Sequence, residues 1–413
     1  MFALRGRISR TARYALENPS AIREIMTVVT DYKLHPEKYP RKLLYLGGGW
    51  PQDPAPEVVR EEFLKLGGDK ELFREACRYG PTRGEPEFME SVTVYEREIF
   101  GRKVATEEVI VGLGSTELTA AFMLATLDPG SEVILTRPGY LNYERQILVE
   151  TLMSAKIKRW DIIKDREFAP NTDELQDLIT SDTRLIILTA PGNPDGQIFS
   201  EETLEAVSDI AEDKGVWVMV DVAYRAFCFE KEPKYYSRPR RENEIWMCSL
   251  SKELRILGWR LAYALADPEL INAVVTVEQA RTLCPSRPAQ MIVSRIIGDK
   301  DKLKVIKDFY DRGKKRYAEV GLKTYNALKE EIPNIYPLKP MGGFYVFFDA
   351  SNYSPSSRKV CNDLLNKWQV ALAPGLDFGM EGWIRLSFAP VIETPEVVFE
   401  AIQRMKEYFK SLK

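Results

Sequence analysis

From about residue 105 the chain alternates short, β-branched apolar runs with amphipathic stretches, and this pattern constrains the fold more than any other feature. EEVIVGLG, SEVILT, RLIILTA, VWVMVDV and EIWMCSL read as strands buried on both faces. Between them, STELTAAFMLATL, TDELQDLIT and EETLEAVSDIAEDKG have helical spacing, and Gly215 marks the end of the last. Strands of this kind, joined through helices, build a mostly parallel sheet with helices on both faces. The expected class is therefore α/β.

The texture changes near Asp299. A long charged helix, DKDKLKVIKDFYDRGKKRYAEVGLKTYNALKEE, leads into GGFYVFFDA, a helix near 356–368, VALAPG, WIRLSFA and a closing helix. This pattern predicts a smaller α+β domain over residues 299–413 beside a large domain over 61–298. The N-terminal 1–60 supplies an arm and a segment that joins the small domain, because LLYLGGGWPQDPAP is too loop-like to nucleate a domain alone. The basic first twenty residues have the look of a presequence but lack a small-residue cleavage pattern. They are read as an arm leading into PSAIREIMTVV, with Ser20 as helix cap.

Composition removes several classes of function. With 45% apolar and 29% charged residues, the 413-residue chain has enough apolar surface to build a core, so wholesale disorder is excluded. Lys plus Arg number 58 against 61 Asp plus Glu, which leaves no net field to attract nucleic acid or an acidic membrane. No apolar run approaches the roughly 20 residues that span a bilayer. The five cysteines are scattered without a C-x-x-C pair, so a reducing, cytoplasmic location is expected. There is one histidine, His35, in a polar, proline-flanked stretch that reads as a surface loop. A zinc site built on two or three histidines is impossible, and a serine or cysteine nucleophile system would have to rest on that loop. Any acid–base chemistry falls to Lys, Tyr, Asp or a cofactor.

Several strand ends carry residues suited to such chemistry. In VGLGSTELTAA a glycine turn opens a helix, and Ser115 and Thr116 stand where hydroxyls and free N–H groups hold an anion. The dinucleotide fingerprint is broken, because Glu117 occupies the third glycine's position. SLSKELRILGWR puts Lys252 just after a strand, with Ser249 and Ser251 before it and Arg260 eight residues on. A lysine at a buried strand end can lose its proton, as a Schiff-base lysine must. Asp221 ends VWVMVD with Tyr224 three residues later, and Asn193 precedes Pro194 after another strand. Taken singly, each has an ordinary reading as cap, turn former or surface charge. In an open α/β sheet, however, all these strand ends share the edge where ligands bind.

Together these residues resemble the class I/II aminotransferases, fold type I enzymes that use pyridoxal 5'-phosphate (PLP). The resemblance runs over nearly the whole chain. It rests on S-x-S-K followed by G-W-R (Ser249, Ser251, Lys252, Gly258, Trp259, Arg260), N-P-x-G at Asn193, D-x-A-Y at Asp221 and R-x-S-F-A at Arg385. It implies a large domain with a seven-stranded, mostly parallel sheet, a smaller α+β domain and a homodimer with shared active sites. By the same resemblance Lys252 is the Schiff-base lysine and proton shuttle, and Asp221 pairs with the pyridinium nitrogen. Asn193 and Tyr224 bond the ring's 3-oxygen, while Ser115, Thr116, Ser249, Arg260 and Ser251 hold the phosphate. Tyr140 stacks on the ring, and Tyr79 reaches the phosphate of the neighbouring subunit. Arg385 grips the substrate α-carboxylate, with Gly49 and Asn193 beside it. The implied reaction moves the amino group of an L-amino acid to a 2-oxo acid, 2-oxoglutarate first, by a ping-pong scheme.

Three features depart from the family pattern: Asp195 replaces Thr in N-P-T-G, Val222 replaces a common acidic residue, and Gly47, Gly48 and Gly49 form a triple glycine. They touch no catalytic role but loosen the substrate assignment. Arg281 and Arg287 are the nearest candidates by position for gripping a distal carboxylate, and a surface place suits either equally. The same constellation also serves PLP lyases and synthases such as a C–S β-lyase. An aminotransferase-like transcription regulator would need a DNA-binding module ahead of GGGWPQ, where only about forty residues stand.

Overall fold

The computed structural model describes residues 8–19 and 21–412. Ser20, the expected cap, and the first seven residues of the basic arm lie outside the described residues. The arm carries a helix of its own, Arg10–Glu17, whose Ser9 hydroxyl accepts from the Ala12 N–H. Ala21–Leu34 follows as a second helix.

The five expected strands form as Val109–Gly112, Glu132–Arg137, Thr183–Thr189, Trp217–Asp221 and Glu244–Ser249. Lys156–Asp161 and Ala262–Leu265 complete a seven-stranded sheet, parallel except for Ala262–Leu265. Alternate residues of each strand enter separate cores. Val218 and Val220 pack on one face with Ile186, Leu188 and Trp246, and Met219 packs on the other with Ile187, Ile245 and Met247. A sheet buried on both faces explains why its strands read as unbroken apolar runs. The helix Glu201–Lys214 ends at Gly215 in a left-handed conformation, φ 64°, as its sequence predicts.

Register brings the site together. Ala262 lies opposite Gly112 on one side and Ser249 on the other, so the glycine turn and the S-x-S-K turn are neighbours across one strand. Thr189 pairs with Asp221, and Asp221 with Met247. The strand ends carrying Asp221, Ser249 and the 113–116 turn therefore open on one edge.

Beyond the sheet, the 32-residue helix Lys300–Glu331 packs its first half (Leu303, Ile306, Tyr310) on the large core and its second (Tyr317, Val320, Leu328) on another. That second core lies against an antiparallel four-stranded sheet of Tyr336–Pro337, Tyr345–Asp349, Trp383–Ser387 and Ala373–Pro374. Leu44 and Leu46 enter the same core, and Leu44–Tyr45 pairs in parallel with Val370–Ala371. His35 sits in a surface turn, and all five cysteines are unpaired. Among the described residues no helix is long and apolar enough to cross a membrane.

Candidate active site

A cleft of about 500 Å³ opens at the shared strand edge, between the parallel sheet and the antiparallel one. Lys252, Asp221, Tyr224, Asn193, Tyr140, Ser115, Thr116, Ser249, Ser251, Arg260, Gly49 and Arg385 all line it. Tyr79 does not, and stands 82% exposed on the surface.

Lys252 lies on a single helical turn, Leu250–Glu253, that begins directly at the end of strand Glu244–Ser249. Burial lowers its ammonium pKa to about 8, helped by Arg260 and Arg385 and opposed by Asp221. A lysine so placed carries a useful fraction of neutral, nucleophilic amine near neutral pH. Asp221 is buried, and its Oδ1 accepts from the Ala223 N–H at 3.0 Å and its Oδ2 from the Tyr143 hydroxyl at 2.6 Å. Burial raises its pKa, while Tyr143, Ala223 and Lys252 pull it back.

Toward the antiparallel sheet, the Asn193 amide nitrogen donates to the Tyr224 hydroxyl at 3.2 Å, and Tyr224 in turn shares a 3.0 Å hydrogen bond with Tyr345. The Asn193 side-chain oxygen accepts from Arg385 at 2.8 Å, and the Gly47 carbonyl accepts from the other arm of the same guanidinium at 2.8 Å. Arg385 is buried, lies over the Tyr345 and Phe378 rings, and keeps its Nε without a protein partner. A guanidinium held this way is rigid, and it lines the cleft where an incoming carboxylate can meet it. At Gly49 a Cβ would meet the Tyr345 hydroxyl at 2.6 Å, so glycine lets the backbone pass close to this group.

The opposite end is built to hold an anion. The helix Ser115–Thr126 points its N-terminus at the cleft behind Gly114, whose φ is 86°. Arg260 donates to the Leu113 and Leu257 carbonyls, and a Cβ on Gly114 would meet its guanidinium at 2.2 Å. Arg260 itself holds φ 55°, a left-handed backbone that a non-glycine residue adopts at some cost and that clusters at functional sites. Ser249 opens its helix without spending its hydroxyl on a cap. One guanidinium, serine and threonine hydroxyls and a helix N-terminus are the donor set a phosphate monoester requires, so these residues fit PLP.

Sequence reasoning passed over Tyr143, Tyr345, Tyr45, Trp50 and Met26, all of which line the cleft. Aromatic residues are ordinary core material, and only the partners of Tyr143 and Tyr345 mark them as functional. Arg281 and Arg287 lie elsewhere: Arg281 pairs with Glu150 and Glu278, and Arg287 with Glu85 and Glu75.

Comparison with known proteins agrees with this geometry. A family model described as aminotransferase class I and II matches residues 41–404. An aspartate aminotransferase of Pyrococcus horikoshii is 29% identical, covering 88% of this chain and 90% of that protein. An asparagine–oxo-acid transaminase of Streptococcus mutans is 26% identical, covering 90% and 92%. Among solved structures, a single mutant of Thermus thermophilus aspartate aminotransferase superposes with a TM-score of 0.84 at 25% identity, covering 97% of this chain and 99% of that one. These relatives agree on the reaction type and differ in the donor their names carry.

Proposed function

This chain belongs to the class I and II aminotransferases, and from that premise we propose that Lys252, Asp221 and Arg385 run a PLP-dependent transfer of the amino group of an L-amino acid to a 2-oxo acid, with 2-oxoglutarate a suitable acceptor. The observation that carries the assignment of residues is their convergence on one cleft, each from a different element: a strand end, the turn after a strand, and the antiparallel sheet.

When bound, PLP supplies an electron sink for the charge left at the substrate's Cα. Ser115, Thr116, Ser249, Ser251 and Arg260 would hold its phosphate, Asp221 its ring nitrogen, Asn193 and Tyr224 its ring oxygen, and Tyr140 its ring face. Lys252 is the attachment point. Asp221, ionised, keeps a proton on the ring nitrogen. Arg385 binds the α-carboxylate and so fixes which Cα bond faces Lys252. The Lys252 amine removes the Cα proton as general base and later returns a proton. One lysine moving a proton over a short distance accounts for a site with no histidine.

The same reading divides the chain into a large domain over 61–298 and a small one over 299–413 joined by the N-terminal segment, an arrangement supported by the contacts of Leu44 and Leu46. It takes the working unit to be a homodimer and the location to be cytoplasmic, in keeping with five free thiols. The assignment is tested by borohydride reduction of the PLP-loaded protein and peptide mapping. The pyridoxyl group is expected on Lys252, and a label on another lysine defeats it.

A further inference from the structure

Besides the residues at its two ends, the cleft is lined by a third group of side chains, Met26, Tyr45 and Trp50. This wall comes from the N-terminal segment. The Tyr45 and Trp50 rings stack at 4.9 Å between centroids and 24° between planes, and the Tyr45 hydroxyl lies 3.2 Å from the Met26 sulfur. Gly48 makes this wall possible, since a Cβ there would meet Trp50 at 2.5 Å and Tyr45 at 2.6 Å. Among the described residues of this chain, the positive charges lining the cleft are Lys252, Arg260 and Arg385, each already assigned to cofactor or α-carboxylate. Among the described residues, Asp221 is the only acidic one on the lining. Within the described lining that this chain itself supplies, a distal carboxylate would therefore meet rings and a thioether rather than a free guanidinium, and a desolvated carboxylate without a cation is costly.

We propose that the preferred amino donor is an aromatic or large apolar L-amino acid, whose side chain packs on the wall formed by Tyr45, Trp50 and Met26. This rests on the aminotransferase reading and names the substrate class of the same site. An aromatic side chain buries a large apolar area and stacks favourably on other rings. The Tyr45 hydroxyl stays neutral, with its pKa raised by burial to about 12, so the wall carries no charge at working pH. A dicarboxylate acceptor would be met at its far end by neutral groups such as the Tyr45 hydroxyl, which hold it less tightly than a guanidinium fork.

The test is a donor panel against 2-oxoglutarate with the PLP-loaded enzyme, joined to a binding measurement. Phenylalanine, tyrosine, tryptophan and leucine are compared with aspartate and glutamate. The expected result is kcat/KM at least about tenfold higher for the best aromatic donor than for aspartate, in the range by which apolar pockets discriminate. By calorimetry, 3-phenylpropanoate should bind more tightly than succinate. In Gly48→Ala, where the new methyl displaces the stacked rings, and in Trp50→Ala, both preferences should shrink. A preference for aspartate, or tighter succinate, overturns the donor class while leaving the aminotransferase reading intact. No turnover with any donor, with phenylpyruvate offered as acceptor beside 2-oxoglutarate, overturns both.

Discussion

The Tyr143 hydroxyl donates to Asp221 Oδ2 at 2.6 Å, both groups buried at the end of strand Trp217–Asp221. Burial alone would push this carboxyl toward its neutral form, and the phenol opposes that by bonding the charged form. Asp221 can hold a proton on a ring nitrogen only while ionised, so Tyr143 acts through Asp221 as a positioning residue. In Tyr143→Phe the Asp221 pKa rises, and the acidic limb of the kcat/KM profile should move to higher pH. Asp221→Ala should keep the fold and lose about a hundredfold or more in turnover, the scale of a removed electrostatic contact. An unshifted acidic limb in Tyr143→Phe, with circular dichroism showing a folded protein, refutes the role.

The Lys252 amine provides a pH-dependent readout before any chemistry. Its pKa is held at about 8, below the ordinary lysine value of 10.5. The ammonium form therefore dominates below pH 8 and the neutral amine above it. The rate at which cofactor-free protein condenses with PLP, followed by absorbance, should rise about tenfold per pH unit below 8 and level off above it. Because the folded pKa is depressed, the cofactor-free fold is penalised most below pH 8, and the penalty fades as pH rises through the ordinary lysine range. A condensation rate still climbing at pH 10 contradicts the assignment.

How far the sequence foretold these features depends on the residue type. Lys252, Asp221 and Asn193 each have an ordinary use taken singly, and they stand out because each sits at or just after an apolar strand and within an ordered set of motifs, S-x-S-K, D-x-A-Y and N-P-x-G. The five apolar runs became strands of the seven-stranded sheet for a related reason, since burial on both faces leaves an unbroken signature. The wall of Tyr45, Trp50 and Met26 carried no such mark. Its members are residue types that serve as packing material anywhere, and their meeting depends on the N-terminal segment crossing to the cleft beside Val370–Ala371. Arg281 and Arg287 illustrate the opposite limit: proximity in sequence to a motif does not put a side chain into its own chain's cleft.

Beneath the cleft, Arg225 pairs with Glu253 and Glu96 at 2.8 Å each, all three side chains essentially without solvent exposure. Tyr263 and Tyr95 complete the cluster, donating to Glu96 and Glu253 respectively. Arg225 follows Tyr224, and Glu253 follows Lys252, so this ion pair ties together the two turns that present those groups. Arg225→Met would strand two buried carboxylates and should cost about 3–5 kcal/mol, read from denaturant unfolding. The double variant Arg225→Met/Glu253→Gln should lose less than the single one, because one stranded charge is gone. A single variant within about 0.5 kcal/mol of wild type, the range of an ordinary surface change, would rule this out.

Tyr79 is 82% exposed and lies away from the cleft of its own chain. In a homodimer whose sites are shared, it would instead close the phosphate end of the other subunit's cleft, and PLP affinity would depend on association. An isologous two-fold contact is the commonest way for one surface patch to satisfy itself. Consider a mixed dimer of a Tyr79→Phe subunit with a Lys252→Ala subunit. One site then draws both its lysine and its tyrosine from intact positions, and the other collects both defects. Lys252→Ala alone should be inactive, and Tyr79→Phe should retain only a minor fraction of activity. Unfolding and refolding an equal mixture gives about half mixed dimers, and so about a quarter of all sites intact. Activity should therefore approach a quarter of wild type, above either parent, with a mass by sedimentation of two chains. If mixing recovers nothing beyond the average of the parents, or a monomer is fully active, Tyr79 serves no partner.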